Sequence, residues 1–93
     1  MVGGDILEVR LSKQAQKYLA GANDAALKAL HRALDGLSRF EGDIVRLSGL
    51  KDTYRLKIPH YRIVFRLENG AAVVYVIEIN TRTNIKYDRY RRR

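Results

Sequence analysis

Four cations alternate with apolar residues in the stretch Thr53–Leu67, TYRLKIPHYRIVFRL: Arg55, Lys57, Arg62 and Arg66. In extended chain, alternation sends them to one face and Tyr54, Leu56, Ile58, Tyr61, Ile63, Phe65 and Leu67 to the other. If Pro59-His60 forms the loop between two strands, Ile58 faces Tyr61 and Lys57 faces Arg62. Like charges directly opposite each other destabilise a sheet. A bound anion reverses that sign, because a phosphate about 4 Å from one cation at a partly buried site gains on the order of 4 kcal/mol before desolvation is subtracted. The chemistry that suits this pattern is therefore recognition of a polyanion. The bland alternative is a solvated sheet surface on which Glu68 or Glu78 neutralises some of the charge.

The wider charge distribution points the same way. The chain has 93 residues and a net charge of +8. Residues 54–66 hold four basic residues and no acid, residues 80–93 hold six basic residues against Asp88, and the rest is close to neutral. A surplus gathered into two C-terminal stretches implies nucleic acid or an acidic protein as partner. The chain has no cysteine, so a disulfide framework and a thiolate metal site are excluded and a reducing cytoplasm fits. No apolar run approaches the roughly 20 residues of a membrane span, and MVGGDILEV has neither the basic region nor the apolar core of a signal peptide. The expected location is cytoplasmic, with no membrane partner. No His or acidic cluster has metal-ligand spacing, and no cofactor motif is present, so neither metal nor cofactor is expected. His31 reads as structural or exposed, and His60 as a turn residue at the edge of the basic surface.

The elements that must position these cations follow from periodicity. Ile6–Leu11 reads as a strand. Ser12 can cap a helix with Ala15, Tyr18 and Leu19 on one face, ended by Gly21. Asn23 can cap a second helix, in which Leu27, Leu30, Leu34 and Leu37 repeat at helical spacing and Ala26 and Ala33 widen the stripe. Residues 43–52 read as an irregular connection. The period then changes to two through Ile58 and again from Tyr61. Asn69-Gly70 is a hairpin turn signal, and AAVVYVIEI is apolar on both faces, as a central strand is. The fold class is α+β, in the order strand–helix–helix–three antiparallel strands. The helical hairpin covers one face of a twisted sheet and a basic groove lies on the other. Residues 1–93 form a single domain, with 80–93 as a basic C-terminal tail that is partly helical or mobile.

Two helices followed by YRLKIPHYRIVFRL, NG, VVYVIEI and TRTNIKY resemble the RelE/ParE superfamily of toxins from type II toxin–antitoxin systems. The resemblance runs from Ile6 to Tyr87 and is strongest over 54–82. It implies a RelE-like fold and, on the RelE branch, a metal-independent endoribonuclease that cuts messenger RNA in the ribosomal A site. There the RNA 2′-OH attacks the adjacent phosphate and leaves a 2′,3′-cyclic phosphate. Matched onto this sequence, the implied catalytic residues are Arg55, Lys57, Arg62, Arg82 and Tyr87, with Tyr90 the rival of Tyr87. Arg66, Lys86, Arg89 and Tyr90 would add RNA contacts.

Chemistry suggests roles for these residues. Arg62 and Arg82 would clamp the phosphate. Arginine stays protonated, so the base would be Lys57, with Arg55 and Arg62 disfavouring its charged form, or Tyr87 with a lowered pKa. Tyr87 could instead stack on a nucleobase. The implied partners are a cognate antitoxin, the ribosome and mRNA, with DNA reached only through the antitoxin complex. Two other readings compete: the ParE branch, whose members inhibit DNA gyrase, and an RNA- or ribosome-binding module without chemistry.

Overall fold

A computed structural model describes residues 6–90. The N-terminal MVGGD and the arginines 91–93, the end of the basic tail, lie outside the described residues. The elements are β1 (Glu8–Leu11), α1 (Lys13–Ala20), α2 (Asp24–Leu37), β2 (Asp43–Arg46), β3 (Thr53–Ile58), β4 (Tyr61–Glu68), β5 (Val73–Thr81) and a 3-10 turn, Tyr87–Tyr90. The strands form one sheet in the order β1-β5-β4-β3-β2. β1 runs parallel to β5 and every other neighbour is antiparallel.

The caps stand where the side-chain chemistry puts them. Ser12 Oγ accepts the N–H of Ala15 at 3.1 Å and Asn23 Oδ1 accepts that of Ala26 at 2.9 Å, satisfying first-turn donors. Gly21 closes α1, its N–H donating to Lys17 and Tyr18 carbonyls. On α2 the buried stripe is Ala26, Leu30, Leu34 and Leu37. Its three leucines, with Ala15, meet Leu56, Ile63, Phe65, Val74, Val76 and Ile79 from the facing side of the sheet. Tyr54 stacks on Phe65 at 5.4 Å between ring centroids, and Phe40 meets both rings edge-on.

The expected order of elements is present, with one correction. Residues 43–52 are not wholly irregular, because Asp43–Arg46 pairs with β3 as an edge strand. Only Ile44 of its four residues is half-buried, so backbone pairing rather than burial holds it, and apolar periodicity gave no sign of it. The Asn69-Gly70 turn has positive φ at both residues and also at Ala71. Glu68 pairs with Val73, which makes a four-residue loop.

β5 contains a bulge. Phe65 pairs with Val76 but Val64 pairs with Glu78, which leaves Ile77 as the extra residue. Val74 and Val76 therefore face the helices, as Ile79 does beyond the bulge, while Glu78 and Asn80 turn to the opposite face beside Val64 and Arg62. Past Val76, β1 no longer covers the edge of β5. Ser12 Oγ donates to the Ile77 carbonyl at 2.6 Å, and the Gln14 amide exchanges two bonds with Ile79, 2.8 Å to its carbonyl and 2.9 Å from its N–H. Side chains at the start of α1 thus replace the missing ladder.

Gly42, at the entry to β2, has φ +125°, and a Cβ there would lie 2.7 Å from Leu56 Cδ1. Leu56 is core, so it has little room to give. Gly42→Ala is expected to cost about 2–3 kcal/mol through strain and overpacking. A methyl group at Gly70 would meet no atom within 4 Å, so Gly70→Ala should cost about 1 kcal/mol from backbone strain alone. Urea unfolding midpoints at constant m-value check the difference.

Candidate active site

The register of β3 and β4 is the one the alternation requires: Lys57 opposite Arg62 and Ile58 opposite Tyr61. Pro59-His60 is the whole loop. Only its second residue has positive φ, at +70°, so proline takes the position compatible with its fixed negative φ. The His60 carbonyl accepts the N–H of Arg82 at 2.9 Å, which ties the chain leaving β5 to this turn. Lys57, Arg62 and Arg82 consequently line one concavity of about 240 Å³, together with Asp43, Ile58, Pro59 and His60. The Arg62 guanidinium is half-buried, and its Nη1 donates to the carbonyls of Ile58 at 2.9 Å and Tyr61 at 2.8 Å. Those two bonds fix the plane of the fork and use only one of its nitrogens.

Arg55 and Tyr87 line a second, smaller cavity of about 140 Å³ with Leu47, Ser48 and Leu50 from the β2–β3 connection. The Arg55 guanidinium lies 3.4 Å from the Asp43 carbonyl and 3.9 Å from its carboxylate. The Tyr87 hydroxyl is buried and has no hydrogen-bond partner among the described residues. Burial raises its pKa above the ordinary phenol value and Glu78 adds to the rise, while Arg55 and Arg62 oppose it. The direction is opposite to the lowered pKa that a phenolate base requires. Two guanidinium groups near it do not outweigh desolvation.

The remaining candidates stand elsewhere. Arg66 binds Glu68 through Nε at 2.9 Å and Nη2 at 2.6 Å, and lies over the Tyr75 ring at 5.4 Å. Lys86 is exposed and lines neither cavity. Arg89 reaches Glu78 at 3.5 Å and Tyr90 donates its hydroxyl proton to the same carboxylate. Of the two rival tyrosines, Tyr87 lies with Arg55 and Tyr90 does not. The cations expected to line a basic groove are set around two hollows. Their charge is tempered by Asp43 beside the turn, Glu68 at the far end and Glu78 beneath the C-terminal segment. Sequence reasoning missed Asp43, Leu47, Ser48 and Leu50, and named Glu78 only as an acid that could neutralise some of the charge. Asp43 comes opposite Lys57 only once β2 is paired with β3, a pairing that DIVRL, with Ile44 and Val45 adjacent, has no alternation to signal.

Among the described residues no group of three or more His, Cys, Asp or Glu side chains could hold a metal ion, and no helix is long and apolar enough to cross a membrane.

A helical hairpin on one side of a five-stranded sheet, with cations at the hairpin turn and a C-terminal tyrosine on the other, defines the class: a small α+β protein of RelE-like fold. Residues 9–85 match the family described as the ParE toxin of type II toxin–antitoxin systems, parDE, and the chain belongs to that family. RelE from the archaeal RelE–RelB complex of Pyrococcus horikoshii is similar, with a TM-score of 0.69 and 22% identity over 86% of this chain and 99% of that one. The isolated Escherichia coli RelE toxin gives a TM-score of 0.68 and 21% identity over 90% of each chain. The toxin–antitoxin complex RelBE2 of Mycobacterium tuberculosis gives 0.65 and 21% over 83% and 99%. At these identities the likeness is one of fold. No curated protein matches the chain. The protein is accordingly a type II toxin–antitoxin toxin of the RelE/ParE superfamily.

Burial and the Glu78 carboxylate raise the Tyr90 pKa above its ordinary value of 10.0. The unfolded chain therefore ionises first as pH rises, and the stability that the neutral phenol contributes is present below about pH 10 and lost above it. Urea unfolding of the wild type is expected to weaken more between about pH 9 and pH 11 than that of Tyr90→Phe; equal slopes would show that Tyr90 is not protected in the folded state.

Proposed function

We propose that this toxin is a metal-independent endoribonuclease that cuts messenger RNA on the ribosome and so inhibits translation in the cytoplasm. The observation that carries the reading is the convergence of Lys57, Arg62 and Arg82 on one hollow beside Arg55 and Tyr87. A phosphodiester seated at the turn meets two guanidinium forks, with Arg62 already oriented by its own hairpin. The 2′-oxygen attacks phosphorus in line, a P–O2′ bond forms and the P–O5′ bond breaks. The products are a 2′,3′-cyclic phosphate and a 5′-hydroxyl. Negative charge that builds on the non-bridging oxygens is met by fixed cations, commonly the largest catalytic contribution. Lys57, when its amine is neutral, takes the 2′-OH proton. His60, on the rim of the same hollow, returns a proton to the departing O5′. Arg55 and the neutral ring of Tyr87 hold the adjoining nucleotide, by stacking rather than by proton transfer.

The partner logic rests on the relatives. RelE of Pyrococcus horikoshii and the toxin of RelBE2 were solved in complex with antitoxins. The same arrangement for this chain requires a cognate antitoxin that places Asp or Glu near Arg62 or Arg82, with DNA contacted only through that complex. Arg66, Lys86 and Arg89 would add diffuse, salt-sensitive attraction to RNA. The family description favours a second reading, in which the chain inhibits DNA gyrase as the ParE branch does.

Purified toxin incubated with ribosomes programmed with message separates the two. Cut message ending in a 2′,3′-cyclic phosphate, undiminished by a chelator, supports the nuclease. Intact message together with loss of gyrase supercoiling rejects it. Within the nuclease reading, Arg62→Ala should lower the cleavage rate by about 100-fold or more, while Tyr87→Phe, which keeps the ring, should stay within about tenfold.

A further inference from the structure

We infer that Glu78 is a positioning residue: its buried carboxylate anchors the Tyr87–Tyr90 turn and thereby seats Tyr87 against Arg55. The inference rests on the nuclease reading only where it concerns rate.

Glu78 is 4% exposed and is the one buried acid among the described residues. A carboxylate in that position must be compensated by charge and hydrogen bonds. Asn80 Nδ2 donates to Oε2 at 3.1 Å, the Tyr90 hydroxyl donates to Oε1, and Arg89 Nη1 lies 3.5 Å from Oε1. Two of these three partners belong to the 3-10 turn, and the third stands on the same strand. The carboxylate is thus the polar tie between that turn and the sheet. Ile85, buried just before the turn, is the apolar one. Val64, which pairs with Glu78 and is fully buried on the face away from the helices, marks the floor that the segment covers.

Glu78 lines neither hollow, so it is not placed to touch a phosphodiester. Its influence passes through Tyr90 and Arg89 to the first residue of the turn. In a 3-10 turn side chains three apart eclipse, so the bond that holds Tyr90 down holds Tyr87 to the same side. A carboxylate at this position in an otherwise cationic surface would repel RNA if left open. Coverage by Tyr90 and Arg89 removes it from the surface and gives it the second task of fixing the tyrosine.

The test compares wild type, Glu78→Ala, Tyr90→Phe and Glu78→Gln, each checked for folding by circular dichroism. The Tyr87 ring resonances, assigned by their loss in Tyr87→Phe, report its seat without any reference to RNA. They are expected to move toward the position of free tyrosine in Glu78→Ala and Tyr90→Phe. In Glu78→Gln, whose amide oxygen still accepts from Tyr90, they should stay in place. Cleavage at saturating RNA should fall about tenfold or more in the first two variants, with the half-saturating RNA concentration changed by less than about threefold. If Glu78→Ala fails to fold, Tyr90→Phe, which removes one oxygen, carries the test. Tyr87 resonances at their wild-type positions in Tyr90→Phe would overturn the anchor, and so would displaced resonances with an unchanged rate overturn the link to chemistry. Absence of cleavage by the wild type would instead remove the nuclease reading, while the resonances still decide the anchor.

Discussion

The extra residue at Ile77 sets the phase of everything beyond it on β5. Were Ile77 paired in the regular ladder instead of bulged out, Glu78 would point among Leu30, Leu34 and Leu37, and Ile79 would face water. A one-residue slip inverts every later side chain, and the bulge performs that inversion inside a single strand. It lies where β1 ends at Leu11, and the backbone groups of β5 beyond that point are met by Ser12 and Gln14 from the start of α1. The same interruption therefore sets the docking of the helical hairpin on one side and the display of polar groups on the other. Core packing and surface chemistry are coupled through one bulge.

The electrostatics of the exposed side follow from that coupling. Three cations outside the turn have a nearby acid: Arg66 with Glu68, Arg55 with Asp43, Arg89 with Glu78. The exposed pair Arg66–Glu68 contributes little to stability, about 0–1 kcal/mol. The effect of the three pairs is to narrow the region of strong positive potential to the Pro59-His60 turn, where Lys57, Arg62 and Arg82 share a hollow with a single carboxylate. The net charge of the chain is large, but the surface focuses it.

Much of this was legible in the residues. Helix starts were marked by Ser12 and Asn23, and the β3–β4 register by strict alternation on both sides of Pro59, because each depends on local chemistry. β2 was not legible, since an edge strand with one half-buried residue has almost no apolar period to read. The bulge was hidden because VVYVIEI is apolar on both sides, although the step of three from Val76 to Ile79 records the change of phase. The choice between Tyr87 and Tyr90 could not be made by spacing. Residues three apart in a 3-10 turn share a side, and only the carboxylate below distinguishes them. The direction of the Tyr87 shift was out of reach for the same reason: nearby cations are visible in a sequence, but the depth of a hydroxyl is not.

The grip of Arg62 on its own turn has a consequence for substitution. One nitrogen holds the carbonyls of Ile58 and Tyr61, so the fork is held still before any ligand arrives and little rotamer freedom remains to be lost on contact. An ammonium group at the same site would have to choose between closing the hairpin and meeting an anion, since it is a single point of charge on a flexible stem. For this position, then, preserving charge does not preserve shape, and lysine is a poor understudy for arginine.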